Sequence, residues 1–216
     1  MKQLRNLIVV VLALGLAACG EKVPKTKGVY MLIDTSGTYT MELDKARKIA
    51  NYLLGNLNSG DSLAMAKIDS ASFSEKDIIA KVTFDSRPST TTSQKHMFKR
   101  KLDEFVSTAK PSAHTDITGA VLQASEYLNE TNAKEKYILI FSDLEEDLAK
   151  GYIRDFTIPL VSIKVVALNV TKLRSDNVDP RDYLNRLDAW EKRVYAGGGE
   201  WKVLNDLDHL NKLLGS

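Results

Sequence analysis

The 216-residue chain carries 30 basic and 28 acidic residues, which gives a formal net charge of +2. Two of the basic residues, Lys2 and Arg5, lie at the very start, and without them each sign counts 28, which argues against nucleic acid as a partner. Cys19 is the single cysteine, so an intramolecular disulfide is excluded and the core alone must stabilise the fold. Residues 19–216 have the length of one domain.

The N-terminus has the layout of a secretory signal. Lys2 and Arg5 precede an apolar run from Leu7 to Ala18, and its 12 residues are too few for a comfortable membrane span. We therefore expect residues 1–18 to be a signal peptide rather than a transmembrane helix.

The signal ends in Leu16-Ala17-Ala18-Cys19-Gly20, which resembles a bacterial lipobox. The resemblance implies a lipoprotein in which Cys19 carries the lipid, palmitate included, and residues 19–27 form a polar tether between the lipid and the domain. The chain would then belong to the bacterial cell envelope as a lipid-anchored membrane protein. Glycine after the acylated cysteine implies the periplasmic side of the outer membrane if the cell is Gram-negative.

The first predicted strand, Val29 to Ile33, is a short apolar run with the length of a buried strand. Asp34, Ser36 and Thr38 follow at alternate positions, so an extended chain would direct a carboxylate and two hydroxyls to the same side. Oxygen ligands on one face suit a hard cation such as Mg²⁺ better than zinc or copper.

Apolar spacing predicts alternating helices and strands along the rest of the chain. The predicted helices are Met41–Asn58, Thr90–Thr108, Ile117–Leu128, Leu148–Phe156, Pro180–Tyr195 and Asp206–Leu214. The predicted strands are Ser62–Ile68 and Ile78–Phe84, forming a hairpin at one sheet edge, then Tyr137–Phe141, Val161–Val170 and Trp201–Leu204. This alternation predicts an α/β fold with a doubly wound, mostly parallel central sheet flanked by helices.

The helix patterns predict which residues of two helices are buried and which are exposed to solvent. The helix Pro180–Tyr195 is expected to turn Tyr183, Leu184, Leu187, Trp190 and Val194 inward. The basic residues Lys95, His96, Lys99, Arg100 and Lys101 are expected to form a solvated helix face, because no aromatic residues alternate with the charges.

Two further polar residues stand at element boundaries. Thr115 precedes the helix that begins near Ile117, a position where threonine commonly serves as a helix cap. Asp143 follows the strand Tyr137–Phe141, so two buried strands end in aspartate. In an open parallel sheet, ligands collect beyond the carboxyl ends of the strands.

The pattern Asp34-x-Ser36-x-Thr38, then Thr115, then Asp143 is similar to the metal-ion-dependent adhesion site of von Willebrand factor A domains. The resemblance covers roughly Thr26 to the C-terminus and implies a von Willebrand factor A, Rossmann-like domain over 28–216. It implies Mg²⁺, with Mn²⁺ or Ca²⁺ as alternatives, held partly through water, with one coordination position open for a partner's carboxylate. The implied ligands are Asp34, Ser36, Thr38, Thr115 and Asp143.

Several residues depart from the family's pattern. Thr38 replaces the usual serine and keeps its hydroxyl, His114 stands where glycine commonly precedes the threonine, and Leu144 stands where glycine often follows the second aspartate. Residues 145–147 are three acids that would repel an acidic ligand, so a basic or mixed partner surface is expected at least as strongly.

The leading functional hypothesis is a membrane-anchored, non-enzymatic module that binds an unidentified protein through this metal site. One alternative is a haloacid-dehalogenase-type phosphatase with Asp34 as nucleophile, because Ser142-Asp143-x-x-x-Asp147 looks like the later acidic motif of those enzymes. That chemistry needs a carboxylate two residues after the nucleophile, where this chain has Ser36. The second alternative is a scaffold of the same fold that binds no metal.

Overall fold

The computed structural model describes residues 25–37, 42–168, 170, 180–204 and 207–214. The strands are β1 (Lys27–Asp34), β2 (Ser62–Ile68), β3 (Ile78–Thr83), β4 (Glu135–Phe141), β5 (Ile163–Leu168) and β6 (Glu200–Leu204). The helices are α1 (Leu43–Asn56), α2 (Pro88–Thr108), α3 (Ile117–Glu130), α4 (Pro180–Ala196) and α5 (Leu207–Leu214). A 3₁₀ turn, Glu75–Asp77, leads into β3.

The six strands form one sheet in the order β3-β2-β1-β4-β5-β6. Only β3 is antiparallel, and it pairs with β2 at the edge, as the predicted hairpin requires. The strands β2, β1, β4, β5 and β6 pair in parallel. The predicted doubly wound, mostly parallel sheet is confirmed.

Strand β1 is apolar along its length because both of its faces are covered. Val29, Met31 and Ile33 face one core cluster together with α1, α2 and α5, while Tyr30 and Leu32 face the other with α3 and α4. This double cover explains the continuous apolar run that predicted a buried strand. Among the residues that the structure describes, both clusters lie between Val29 and Leu214, so a chain that starts at Lys25 keeps all of this core and is expected to fold on its own.

Two of the helix predictions need correction. Residues 148–156 form no helix but a loop, in which Gly151 has a φ of +94° and the backbone N–H of Tyr152 donates to the carbonyl of Ala149. In α4, Leu184 is 61% exposed, while Trp190 and Val194 are buried as expected. None of the helices in the described ranges has the length and apolar character needed to cross a membrane.

The basic residues on α2 are largely exposed, as expected for a solvated face. Lys95 is the most engaged of them, because its ammonium donates to the carbonyl of Leu57 at 2.6 Å and lies 5.5 Å from the ring centre of Phe84. Lys99 forms an ion pair with Asp103 at 2.5 Å. These contacts are made within the molecule and indicate no ligand.

Gly197, which follows α4, is required by a close backbone approach. A Cβ at this position would lie 2.2 Å from the carbonyl oxygen of Ile158. We therefore expect Gly197→Ala to lower the free energy of unfolding by roughly 3 kcal/mol, since the backbone of the 158–160 segment has to move. Urea denaturation measures the loss.

The control is Gly55→Ala on α1, where a Cβ meets nothing within 4 Å and helix propensity predicts a gain of up to ~1 kcal/mol. Equal effects of the two substitutions would contradict this explanation.

Candidate functional site

The site lies where β1 and β4 end side by side. In the parallel register Ile33 pairs with Phe141, so the residues that follow each strand are neighbours. The hydroxyl of Ser142 donates to Oδ2 of Asp34 at 2.6 Å, although the two residues are 108 positions apart in the chain. The sheet thus brings the Asp34 motif and the Asp143 motif together, as the sequence predicted.

Asp34 is fully buried and held at both carboxylate oxygens. Oδ2 accepts from Ser142, and Oδ1 accepts from the backbone N–H of Ser36 at 2.7 Å. Burial raises the pKa of Asp34, and the hydrogen bonds from Ser142 and Ser36 oppose that rise. A desolvated carboxylate with fixed oxygens is oriented to meet a positive charge.

Asp143 is also buried, with 4% of its surface exposed, and its Oδ1 accepts from the backbone N–H of Glu145 at 2.9 Å. Burial, together with the negative charges of Asp34 and Glu145, raises the pKa of Asp143 to about 6. The positive charge of Arg186, whose Nε donates to the carbonyl of Asp143 at 3.3 Å, opposes the rise. Because the negative charge of Asp34 contributes to the raised pKa of Asp143, the two carboxylates lie near each other at this rim.

This raised pKa predicts how stability depends on pH without metal. Because the folded pKa of Asp143 lies above the usual value of an aspartate, about 4, the native state binds more protons between these values, so its contribution to stability falls as pH rises. With roughly 1.4 kcal/mol per pKa unit, the loss from pH 4 to pH 7 is about 2–3 kcal/mol. Urea denaturation in EDTA should therefore show Asp143→Asn more stable than wild type at pH 7 and nearly equal at pH 4. A difference that does not change with pH would contradict the assignment.

Hydroxyl groups lie next to the two carboxylates. Ser36 forms a parallel bridge with Ser112, whose backbone N–H donates to the carbonyl of Thr35 at 2.9 Å. The hydroxyl oxygen of Ser112 is buried and has no hydrogen-bond partner within the described part of the chain. Ser112 was missed by the sequence analysis, because nothing in the sequence pairs the 109–116 loop with the end of β1.

Thr115 is buried on the same rim of the sheet. Its backbone exchanges hydrogen bonds with Asp147, at 2.7 and 3.0 Å, in the loop after β4. The neighbouring N–H of Asp116 donates to the carbonyl of Asp69, just after β2, at 3.0 Å. The N-cap of α3 is Asp116, which accepts from the N–H of Gly119 at 2.8 Å, so Thr115 is not engaged as the cap.

The structure brings together Asp34, Ser36 and Asp143, and places Thr115 on the same rim. The predicted ligand Thr38 and the predicted lipidation residue Cys19 lie outside the described residues. Ser142, which donates to Asp34, entered the sequence analysis only within the phosphatase-like motif and not as a residue of the metal site. Its position directly after β4, in register with the end of β1, is the signal that could have revealed it.

Of the three acids at 145–147, Glu146 is turned inward, where it accepts from the N–H of Thr118 at 2.6 Å and pairs with Arg193 at 3.0 Å. Glu145 and Asp147 are exposed, and a carboxylate oxygen of Asp147 lies 2.8 Å from Nδ1 of His114. The charge of Glu146 is thus compensated within the protein, while Glu145 and Asp147 keep the acidic character that the sequence predicted for this rim.

The donor set is chemically suited to a hard cation. Two carboxylates and several hydroxyls offer oxygen ligands, which Mg²⁺ prefers. Neither Asp34 nor Asp143 forms an ion pair with another residue in the described ranges, so a bound cation would compensate two buried negative charges. Those ranges contain no group of three or more His, Cys, Asp or Glu side chains that could hold a metal.

No protein-family model matches the sequence, and no curated protein does either. Solved structures do match. The minor pilin PilB from Streptococcus sanguinis aligns with a TM-score of 0.58 and 12% identity over 91% of this chain and 61% of that one. A von Willebrand factor type A structure from Catenulispora acidiphila aligns with a TM-score of 0.52 and 12% identity over 88% of this chain and 41% of that one. This chain has the von Willebrand factor A fold.

A pilus adhesin, SpaC from Lactobacillus rhamnosus GG, also aligns with the von Willebrand factor A fold of this chain, with a TM-score of 0.53 and 10% identity over 90% of this chain and 30% of that one. The chain therefore spans only part of each of these three proteins. At such identities the similarity concerns the fold alone. In this von Willebrand factor A fold, Asp34 and Asp143 occupy the rim at the carboxyl ends of the strands.

Proposed function

We propose that the protein is a membrane-anchored, non-enzymatic binding module that recognises another protein through a divalent cation. Asp34, Ser36, Thr38, Thr115 and Asp143 would hold Mg²⁺, or alternatively Mn²⁺ or Ca²⁺. The observation that carries the proposal is the pairing of two buried aspartates with raised pKa values at adjacent strand ends. Such a pair is costly to keep without a cation.

The chemistry of the site favours binding over turnover. A cation held by two carboxylates and neutral hydroxyls keeps enough positive charge to attract a partner's carboxylate. The phosphatase alternative needs Asp34 as a free nucleophile, yet both of its oxygens accept hydrogen bonds, from Ser36 and Ser142. Ser36 also lacks the acid or base function that the chemistry needs at that position.

The direction of β1 separates the candidate metal site from the end of the domain that follows the tether. The strand starts at Lys27, next to the tether, and ends at Asp34, so the two ends lie roughly 23 Å apart for eight extended residues. If Cys19 carries the lipid, the membrane lies at the amino end of the sheet. The metal site then faces away from the membrane, where a partner can reach it.

A cross-linking pull-down from membranes tests this function. Wild-type protein and Asp34→Asn are compared in the presence of Mg²⁺ and of EDTA, with Asp69→Asn as the control because Asp69 follows β2 on the same rim but pairs with Lys67. We expect one protein to be captured by wild type and by the control in Mg²⁺, and to be lost with Asp34→Asn or in EDTA. Capture by wild type and by Asp34→Asn that is the same in Mg²⁺ and in EDTA would refute metal-dependent recognition.

A further inference from the structure

A groove runs between α3 and the edge strand β3. It exists because α3 packs chiefly over β1, β2 and β4 and leaves this face of β3 without a helix. The upper part has a volume of about 250 Å³ and the lower part about 450 Å³. Tyr127 and Glu130 line both parts, so the two parts adjoin along α3, and together they form what we call the α3–β3 groove, with Phe73 at one end and Thr26 at the other.

The charge of the groove is negative. Glu75, Glu126 and Glu130 line it, and all three are exposed. Lys81 is the single cation among the lining residues, and its ammonium pairs with Glu75 at 3.0 Å. Glu126 and Glu130 therefore have no counter-charge among the residues that line the groove.

The apolar part of the groove is preformed. The ring of Tyr127 packs edge-on against the buried ring of Tyr30, with the centres 5.4 Å apart. The hydroxyl of Tyr30 donates to Oε1 of Gln123 at 3.4 Å, which ties the strand to the helix wall. Phe73, at the upper end, is 45% exposed although it is a large aromatic residue, and its φ of +87° is unusual for a side chain of that size. A fixed floor of this kind is ready to receive apolar side chains.

The edge of β3 itself is protected against strand addition. The strand has only six residues, its register with β2 is shifted between Met65 and Ala66, and it carries Lys81 in its centre. Short length, a bulge and an edge lysine are devices that prevent pairing with another strand. An occupant therefore lies in the groove over the open face of β3 rather than extending the sheet.

We propose that the α3–β3 groove binds a basic peptide segment of another protein that also carries apolar side chains. Its lysine or arginine side chains pair with Glu126 and Glu130, and its apolar side chains cover Phe73, Ile78 and Tyr127. None of the candidate metal ligands lines the groove. Binding here is therefore independent of Mg²⁺ and of the function proposed above.

Fluorescence anisotropy tests the proposal with the domain 25–216 in EDTA at low salt. The probe is a fluorescein-labelled peptide, Lys-Val-Lys-Thr-Lys-Val-Lys, and its counterpart has Glu in place of each Lys. We expect the basic peptide alone to bind, and the double substitution Glu126→Lys with Glu130→Lys to weaken it at least ~10-fold. The neutral variants Glu126→Gln and Glu130→Gln are expected to fall in between, and they keep the test valid if the double variant does not fold.

The matched control has the same change in net charge elsewhere. Asp44→Lys with Asp188→Lys alters two exposed acids on α1 and α4, each paired within its own helix. We expect it to change the affinity less than ~2-fold at moderate salt, where distant surface charges are screened. Equal weakening by both double variants would show general charge attraction and overturn the proposal, and so would binding of neither peptide.

The tether is the competing occupant, because Thr26 lines the lower end of the groove and Lys22 precedes it by four residues. A chain that starts at residue 20 is compared with the domain 25–216. We expect the two to bind the basic peptide equally. If the longer chain binds ~10-fold more weakly, the groove is filled from within the chain and the proposal of an outside partner is wrong.

Discussion

Replacing Asp116 with alanine is expected to lower the free energy of unfolding by roughly 4 kcal/mol, a large share of the total stability of a domain this size. Asp116 is fully buried and accepts from Nε of Arg154 at 3.0 and 3.1 Å and from Nη2 at 2.5 Å. Arg154 is itself only 18% exposed in its side chain and also donates to the carbonyl of Ser72 at 3.2 Å. Without Asp116 the guanidinium remains largely buried without its hydrogen-bonded carboxylate, and α3 loses its N-cap.

Urea denaturation at neutral pH measures this loss. The control is Asp188→Ala, which removes an exposed ion pair with Lys192 and is expected to cost less than ~1 kcal/mol. Asp116→Asn separates the two causes, because asparagine can still cap α3 but has no charge. If Asp116→Ala costs no more than Asp188→Ala, the buried pair does not hold the β2 and β4 loops around α3.

The second large effect concerns metal affinity. Asp34→Asn keeps the shape of the side chain and its acceptor oxygen but removes the negative charge, so we expect the dissociation constant for Mg²⁺ to rise at least ~100-fold. Asparagine is preferable to alanine here because Ser36 and Ser142 donate to the Asp34 carboxylate, and alanine would leave these donors without an acceptor. Isothermal titration calorimetry of the domain 25–216 with Mg²⁺ measures the change.

Asp69→Asn is the matched control for this measurement. Asp69 also follows a strand of the parallel sheet, but its carboxylate pairs with Lys67 and accepts from the N–H of Ser70 at 2.6 Å. We expect its effect on Mg²⁺ affinity to be less than ~3-fold, since charges that are already paired act weakly at a distance. A similar loss in both variants would mean that the rim attracts cations only through its overall charge.

The sequence was sufficient to predict where Asp34 and Asp143 lie, because the sheet determines their positions. Val29–Ile33 and Tyr137–Phe141 are apolar because both faces of these strands are covered, and parallel strands end on the same side. Asp34 and Asp143 had to meet once the strands were neighbours. Helix boundaries such as those of α1 and α4 followed from apolar spacing to within one or two residues.

The contacts between loops could not be predicted in this way. The segment 148–156 has helix-compatible spacing, yet Arg154 crosses from it to Asp116 and Ser72, and Gly151 has a positive φ. Glu146 looked like a surface acid until its partners Thr118 and Arg193 were known. Such pairs join residues 28 to 82 positions apart, so the local spacing of apolar residues cannot predict them.

A crystal structure of the domain 25–216 grown with Mn²⁺, which replaces Mg²⁺ and gives an anomalous signal, tests most directly whether one divalent cation binds between Asp34 and Asp143. We predict a single anomalous peak at the rim, with oxygen atoms of Asp34, Ser36, Thr38, Thr115 and Asp143 around it, directly or through water. Saturating Mn²⁺ with no peak between the two aspartates would show that the fold has been kept without the metal site.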